Sequence, residues 1–485
     1  MITYPPLESK KGFPLLSQNR QFQWFSNPTL MFPLIPASAA TLLKSKRYDV
    51  IWKDGIAEGM DYEKYLKFIE KKAPDIVAIE TKTPVIKYHW KIINNLKEIL
   101  PETKFLLMGD HVTALPKESL EKCQGLDFVI TGGDYDFSLL ELSEYLEGKR
   151  KPPNGLWYRK GKVIKNTGNF QLNHDLNSLP FIDRELTQSK LYNVEYNMKG
   201  KPFEYTMAGR DCPYHRCRFC AWTTLFPLFR VRTPENLLDE IGMLIEKRSV
   251  KEIFDDTGTF PPSKWLEKFC NGMISRGYNE EIYFSCNMRV DYITEENAKL
   301  MKKAGFRLLK IGLESANQKT LDRINKGIRV EQITEACKKA KRAGLEIHLT
   351  MIVGYPWETK KEALNTFKLA KKLMTSGLAD VLQSTVLIPY PGTPLWKEGL
   401  EKNWFRFNPE EYERYDMTEP VFKTPDMGPE EVMEICDSIY KIFLSPEYIL
   451  RHMIKIKSWD DIRYTFRGVK AVIGHLRDFS RKPKG

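Results

Sequence analysis

Between residues 33 and 146 short apolar runs alternate with amphipathic stretches. The runs at 49–52, 76–79, 105–109 and 128–130 predict buried strands, and the 3.6-residue spacing at 37–46, 62–72, 88–100 and 116–122 predicts helices. Strands alternating with helices predict a doubly wound, Rossmann-like parallel sheet with helices on both faces. Such a sheet takes ligands at the carboxyl ends of its strands. A Gly-, Pro- and Asn-rich stretch follows at 148–180, with a hairpin pattern at 157–164.

A second alternating series starts near Tyr205, with strands expected at 205–208, 252–255, 282–286, 308–313, 347–353 and 381–387. Six βα repeats of this length predict a partial, open relative of the (β/α)8 barrel, whose chemistry sits at the strand carboxyl ends. Beyond Trp396 the repeats stop, and aromatic-rich loops and helices (429–443, 460–476) predict a helical cap. The expected organisation of this α/β chain is therefore a Rossmann-like domain at 30–147, a linker at 148–200, a partial (β/α)6 TIM-type barrel at 201–396 and a helical C-terminal region at 397–485.

Composition narrows the class. Mean hydropathy of -0.43 with 42% hydrophobic residues describes a soluble globular chain, and no apolar run approaches the ~20 residues that cross a bilayer. The first thirty residues show Lys10, Lys11 and Arg20 but no apolar core before a cleavage site, so no secretory signal and a cytoplasmic location are expected. The net charge of +12 admits an anionic partner, yet most lysines are spread over amphipathic helices. Positive charge concentrates only toward the end, at Lys470, Arg477, Arg481, Lys482 and Lys484, where contact with acidic headgroups stays open.

Of eight cysteines, Cys212, Cys217 and Cys220 share one loop after the first expected barrel strand. Three soft thiolates suit an iron–sulfur cluster or zinc. With no obvious fourth ligand one metal corner is left open for chemistry, whereas His215 would complete a zinc site. Cys123, Cys270, Cys286, Cys337 and Cys436 are scattered singly and read as small buried apolar residues.

The segment from Gly209 through Cys220, with Phe219 just before the last cysteine, resembles the cysteine loop of the radical S-adenosylmethionine (SAM) superfamily. The usual spacing is three residues and then two; here four residues separate Cys212 from Cys217. Phe254-Asp255-Asp256-Thr257, Asn287-Met288-Arg289-Val290-Asp291, Lys310 to Ser315, Gly354 to Thr359 and Pro389 to Pro394 each close an expected strand. Together they resemble the cobalamin-binding branch of that superfamily, in the manner of the anaerobic Mg-protoporphyrin monomethyl ester cyclases.

The resemblance implies a 4Fe-4S cluster on Cys212, Cys217 and Cys220 whose open iron is chelated by SAM. It implies Glu314 as acceptor for the ribose hydroxyls, Arg289 as partner of the SAM carboxylate, and Asp255 and Asp256 as groups orienting the SAM ammonium or the substrate. Gly354 and Gly392 are expected to allow close backbone approach, next to adenine or at a turn.

The amino-terminal domain resembles the cobalamin-binding domain of the same branch through Thr81-Lys82-Thr83-Pro84, Met108 to Thr113 and Gly132-Gly133-Asp134. The Asp-x-His-x-x-Gly signature that supplies a histidine to cobalt is absent: Ala114 stands where a glycine after His111 is needed. An empty, scaffold-only domain is the alternative. The resemblance implies cobalamin-dependent C-methylation of an unactivated carbon, or alternatively cobalamin-free cyclisation, oxidation, rearrangement or carbon–carbon coupling. The substrate is expected to be a lipid, tetrapyrrole or natural product, and the reductant a flavodoxin or ferredoxin. A zinc- or nucleic-acid-binding protein is the remote alternative; it leaves the strand-end motifs without a role.

Overall fold

The computed structural model describes residues 1–7, 9, 11–15, 22–25, 27–193, 198–454, 456 and 459–480. The basic positions Lys10, Arg20, Arg481, Lys482 and Lys484, and the side chain of Arg477, lie outside what is described.

A seven-stranded sheet forms the first half, from β1 (Ile2–Tyr4), β2 (Trp52–Asp54), β3 (Ile76–Glu80), β4 (Lys104–Met108), β5 (Phe128–Ile130), β6 (Leu156–Lys160) and β7 (Val163–Asn166). Its order is β2-β1-β3-β4-β5-β6-β7. The first five strands are parallel, while β6 and β7 add an antiparallel edge. Thus β1 and the expected hairpin both belong to this sheet, which reaches past 30–147 on either side. The three residues of β1 are too few for a periodic signal, although Ile2 and Tyr4 are buried between β2 and β3.

Period-two alternation sorts the side chains of this sheet into two cores. Val77, Ile79, Phe105, Leu107 and Val129 face one, with the helices Tyr62–Lys72 and Ile86–Ile99. Ala78, Leu106, Met108 and Ile130 face the other, with Leu34–Ser45 and Tyr135–Leu146. Helices therefore cover both faces.

The second half carries six parallel strands, β8 (Phe203–Thr206), β9 (Glu252–Asp255), β10 (Tyr283–Met288), β11 (Phe306–Glu314), β12 (Glu346–Val353) and β13 (Val381–Val386), in sequential order. Their outward residues, such as Leu309, Leu349 and Leu382, join the same core as the first sheet. In β13 the pattern is strict: Leu382, Ser384 and Val386 are buried, whereas Val381, Gln383 and Thr385 are half-buried.

The chain ends in the helices Pro429–Ser438, Pro446–Ile454 and Trp459–Ser480. No helix among the described residues is long and apolar enough to cross a membrane.

Candidate active site

The cysteine loop leaves the second sheet after β8 and a two-residue strand, Gly209–Arg210. At its root Arg210 is buried and bonds two acids of the first half, Asp134 at 2.9 Å and Asp136 at 2.5 Å. Arg230 bonds Asp134 at 2.6 Å and His174 at 3.1 Å completes the cluster. Burial would push the Asp134 carboxyl up, but Arg210, His174 and Arg230 outweigh it and hold the group well below the usual carboxylate range.

Four residues separate Cys212 from Cys217, and the extra length is staked down. The Tyr214 hydroxyl donates to Asn325 Oδ1 at 3.2 Å, and Asn325 Nδ2 returns a bond to the Arg216 carbonyl at 3.1 Å. The Arg289 guanidinium lies 3.9 Å from the Tyr214 ring centre. Gly327, at φ +68°, is required here, since a Cβ would fall 2.3 Å from the Tyr214 oxygen. After Cys217 the Arg218 amide bonds the Ile324 carbonyl and its guanidinium reaches Glu398 at 2.9 Å.

Cys212, Cys217 and Cys220 line a single cavity of ≈ 220 Å3 with Phe219 and residues from the carboxyl ends of β10 to β13. Cys212 Sγ sits 3.2 Å from Thr259 Oγ1. Burial pushes the Cys217 thiol up, opposed by the nearby cations Lys326 and Arg289. The thiols are not yet gathered at ligand distance: no group of three His, Cys, Asp or Glu among the described residues stands close enough to hold a metal ion. His215 is not among the cavity-lining residues, and three thiols that line one cavity fit an iron–sulfur cluster with one open corner.

Arg289 and Glu314 both line this cavity. Arg289 is fixed by a two-toothed bond to Asp291, at 2.9 and 3.1 Å, and by the Lys326 carbonyl at 3.0 Å. Glu314 occupies a left-handed conformation, φ +56°, at an irregularity between β11 and β12, and accepts from Lys326 Nζ at 2.7 Å. Its carboxylate folds back over Gly312, where a Cβ would come 2.0 Å from Oε1. Lys326 is held protonated: burial disfavours its charge, but Glu314 outweighs that. Such strain in a non-glycine residue costs about 1–3 kcal/mol and clusters at ligand-binding positions.

Asp255, Asp256 and Gly354 lie outside the cavity lining. Burial raises Asp255 to about 6, and its carboxylate accepts from Thr206 Oγ1 at 2.9 Å. Asp256 receives Asn287 Nδ2 at 3.4 Å. Gly354, at φ +88°, donates its amide to Glu358 at 2.9 Å, and a Cβ there would meet Val432 at 3.0 Å.

Lys326, Thr259, Asn287, Lys310, Thr350 and Gln383 add to the polar lining, as do Asp211, Thr385 and Tyr390. Register aligns Lys310 beside Asn287, and Gly312, Thr350 and Gln383 in one row. Period-two polar positions in these strands are the sequence signal for that inward row; Lys326 and Thr259 sit on loops and give none.

At the strand ends of the first sheet Thr81, Lys82, Thr83, Asp110 and His111 are buried polar residues. His89 Nδ1 pairs with Thr81 Oγ1 at 2.8 Å and His111 Nδ1 with Thr83 Oγ1 at 3.2 Å. The Nε2 atom of each is buried with no hydrogen-bond partner, although Glu118 stands 3.6 Å from that of His111. Gly132 and Gly133 form notches filled by the Phe170 and Phe226 rings.

Two α/β sheets with a three-cysteine loop at the carboxyl end of one define a cofactor-dependent α/β enzyme. Residues 208–370 match the family model described as the radical SAM superfamily, so the chain carries a radical SAM domain. It is 29% identical over 433 residues to an uncharacterized methyltransferase of Pyrococcus horikoshii, covering 87% of this chain and 90% of that protein. It is 27% identical over 411 residues to the anaerobic magnesium-protoporphyrin IX monomethyl ester cyclase of Cereibacter sphaeroides, covering 83% of this chain and 65% of the cyclase. In fold it is similar to the radical SAM methyltransferase TsrM from Kitasatospora setae, solved with cobalamin and a [4Fe-4S] cluster. The TM-score is 0.70 at 14% identity, over 98% of this chain and 99% of that one. A radical SAM domain implies a 4Fe-4S cluster and SAM as cofactors, and a reductant to supply the electron.

Proposed function

We propose that the chain is a cobalamin-dependent radical SAM methyltransferase acting on an unactivated carbon, with the second sheet serving as a partial (β/α)6 barrel. The carrying observation is the single cavity in which three thiols meet Arg289 and the Glu314–Lys326 pair.

In this reading Cys212, Cys217 and Cys220 hold the cluster. When bound, SAM at the reduced cluster supplies a 5′-deoxyadenosyl radical and cobalamin supplies a transferable methyl group. Arg289, oriented by Asp291 through Nε and Nη2, would offer its Nη1 to the SAM carboxylate. Glu314 accepts ribose hydroxyls through the carboxylate oxygen that Lys326 leaves over, and Lys326 balances its charge in place of water. Ile352, Val386, Leu387, Ile388 and Met417 give the same cavity an apolar wall, which suits a largely hydrocarbon substrate and excludes water. Asp255 and Asp256 act from behind the lining, by setting the β9 turn rather than by touching SAM.

Cobalamin would seat at the strand ends of the first sheet, on Thr81, Thr83, Gly109 and His111, where two buried imidazole nitrogens lack partners. The likeness to TsrM over nearly the full chain supports that reading. The cyclase relative favours a second one, ring closure or oxidation without methyl transfer.

Anaerobic reconstitution with iron, sulfide and hydroxocobalamin tests the proposal. The wild type is expected to hold a cluster and corrinoid, and a Cys212/Cys217/Cys220→Ala variant corrinoid alone. Methyl-deuterated SAM should then label the product; unlabelled product with iron but no corrinoid establishes the second reading, and zinc without iron refutes both.

A further inference from the structure

The helix Trp459–Ser480 runs beneath the amino-terminal ends of the second sheet, opposite the cysteine cavity. Its inner face, with Tyr464, Thr465 and Gly468, closes a separate cavity of ≈ 260 Å3 against Leu382 and the first residues of β12 and β13, Glu346 and Val381. Polar contacts pin this face: Arg467 donates to the Met198 carbonyl at 2.9 Å, and Asp461 pairs with Lys199 at 2.5 Å.

The outer face of the same helix is apolar as well. Trp459, Ile462 and Phe466 recur at helical spacing and are exposed, Trp459 by 78% and Phe466 by 75%, and Val469 and Ile473, which also border the cavity, extend the row with 51% and 45% of each exposed. The preceding helix adds Leu450, Met453 and Ile454, each more than half exposed. Scattered exposed apolar residues need no explanation, whereas a continuous stripe of aromatic and branched side chains implies a partner.

Charge selects that partner. Residues 446–485 hold ten Lys and Arg against four Asp and Glu, half of the whole chain's net charge of +12. Arg451, Arg463 and Lys470 are exposed beside the stripe. A second copy of the chain would bring this positive charge against itself. An apolar face carrying Trp and Phe, flanked by Arg and Lys, matches the boundary between acidic headgroups and acyl chains.

We infer that the outer face of the helix pair Pro446–Ile454 and Trp459–Ser480 docks on an anionic phospholipid bilayer, lying in its interface without crossing it. This placement rests on the C-terminal helices alone and stands independently of the cofactor assignment. It turns the cysteine cavity, at the opposite strand ends, away from the lipid.

Flotation of the full chain with vesicles tests it. Binding is expected to equimolar phosphatidylcholine and phosphatidylglycerol but not to phosphatidylcholine alone, and to fall in high salt. A Trp459→Glu/Phe466→Glu variant should lose roughly tenfold or more of that affinity, and Arg463→Glu/Lys470→Glu should lose it while keeping the apolar stripe and the fold by circular dichroism. Equal binding to neutral vesicles, no binding by the wild type, or undiminished binding by the charge-reversed variant overturns the inference. So does a wild-type dimer that ignores vesicles and that Trp459→Glu/Phe466→Glu makes monomeric, which would assign the stripe to a second copy.

Discussion

Asp136 receives both terminal nitrogens of Arg210, at 3.0 Å from Nη1 and 2.5 Å from Nη2, so an acid in a helix of the first sheet holds the residue two positions before Cys212. Both partners are almost fully buried. Removing one side of a buried pair leaves an uncompensated charge, which costs about 3–5 kcal/mol. Arg210 keeps Asp134 at 2.9 Å, so Asp136→Ala should lower stability by less than that, by about 1–3 kcal/mol, in urea denaturation. It should also reduce the iron retained after reconstitution, because the root of the loop loses its anchor. Asp136→Asn, which keeps one acceptor, should do less.

Glu358 gives a pH dependence. Burial raises its carboxyl to about 8, and Oε1 has no hydrogen-bond partner. A carboxyl raised in the folded state takes up its proton more readily there than in the unfolded chain. The contribution of Glu358 to stability is greatest below the ordinary value of 4.5 and falls as pH climbs from there through about 8. Glu358→Gln should flatten that fall and stabilise the protein at pH 8 by a few kcal/mol, since each tenfold difference in proton affinity between the two states is worth about 1.4 kcal/mol. Thermal unfolding of both proteins across this window checks it; parallel curves would refute the assignment.

Gly258 controls the residue beside Cys212. A Cβ at position 258 would fall 2.1 Å from Asp211 Oδ1. Gly258→Ala must displace the Asp211 carboxylate, and overpacking of this kind costs about 1–3 kcal/mol. Reduced cluster content with an otherwise normal circular dichroism spectrum is the expected result.

Lys326 and Glu314 separate charge from shape in the proposed SAM site. Hydrogen bonds to charged groups contribute about 1.5–3 kcal/mol, so Glu314→Gln should weaken SAM binding by about tenfold or more. Lys326→Met should weaken it comparably by leaving Glu314 unpaired, whereas Lys326→Arg should restore part of the affinity. Equilibrium binding of SAM to the reconstituted protein measures all three.

The alternating sheets were legible because apolar runs and amphipathic helices carry their periods locally. All six strands of the second sheet fall within a few residues of where the pattern puts them. What escaped was set by contacts distant in sequence. Ile2–Tyr4 is a strand only because β2 and β3 flank it. Lys326 reaches Glu314 by a chain reversal after the helix Gln318–Arg323. The carboxylates of Asp255 and Asp256 resemble ligands in sequence, yet Thr206 and Asn287 reach them from neighbouring strands, and neither acid lines the cavity.

The glycine notches have a consequence for how this enzyme can be dissected. A Cβ on Gly133 would overlap the Phe226 ring, and one on Gly392 would come within 2.8 Å of Ala114, so backbone from each half is moulded to side chains of the other. A fragment cut to the cysteine-bearing half would expose Phe226 and strand the Arg210 guanidinium without its acids. The two halves are therefore not interchangeable cassettes: grafting either onto a foreign partner requires transplanting the seam along with it.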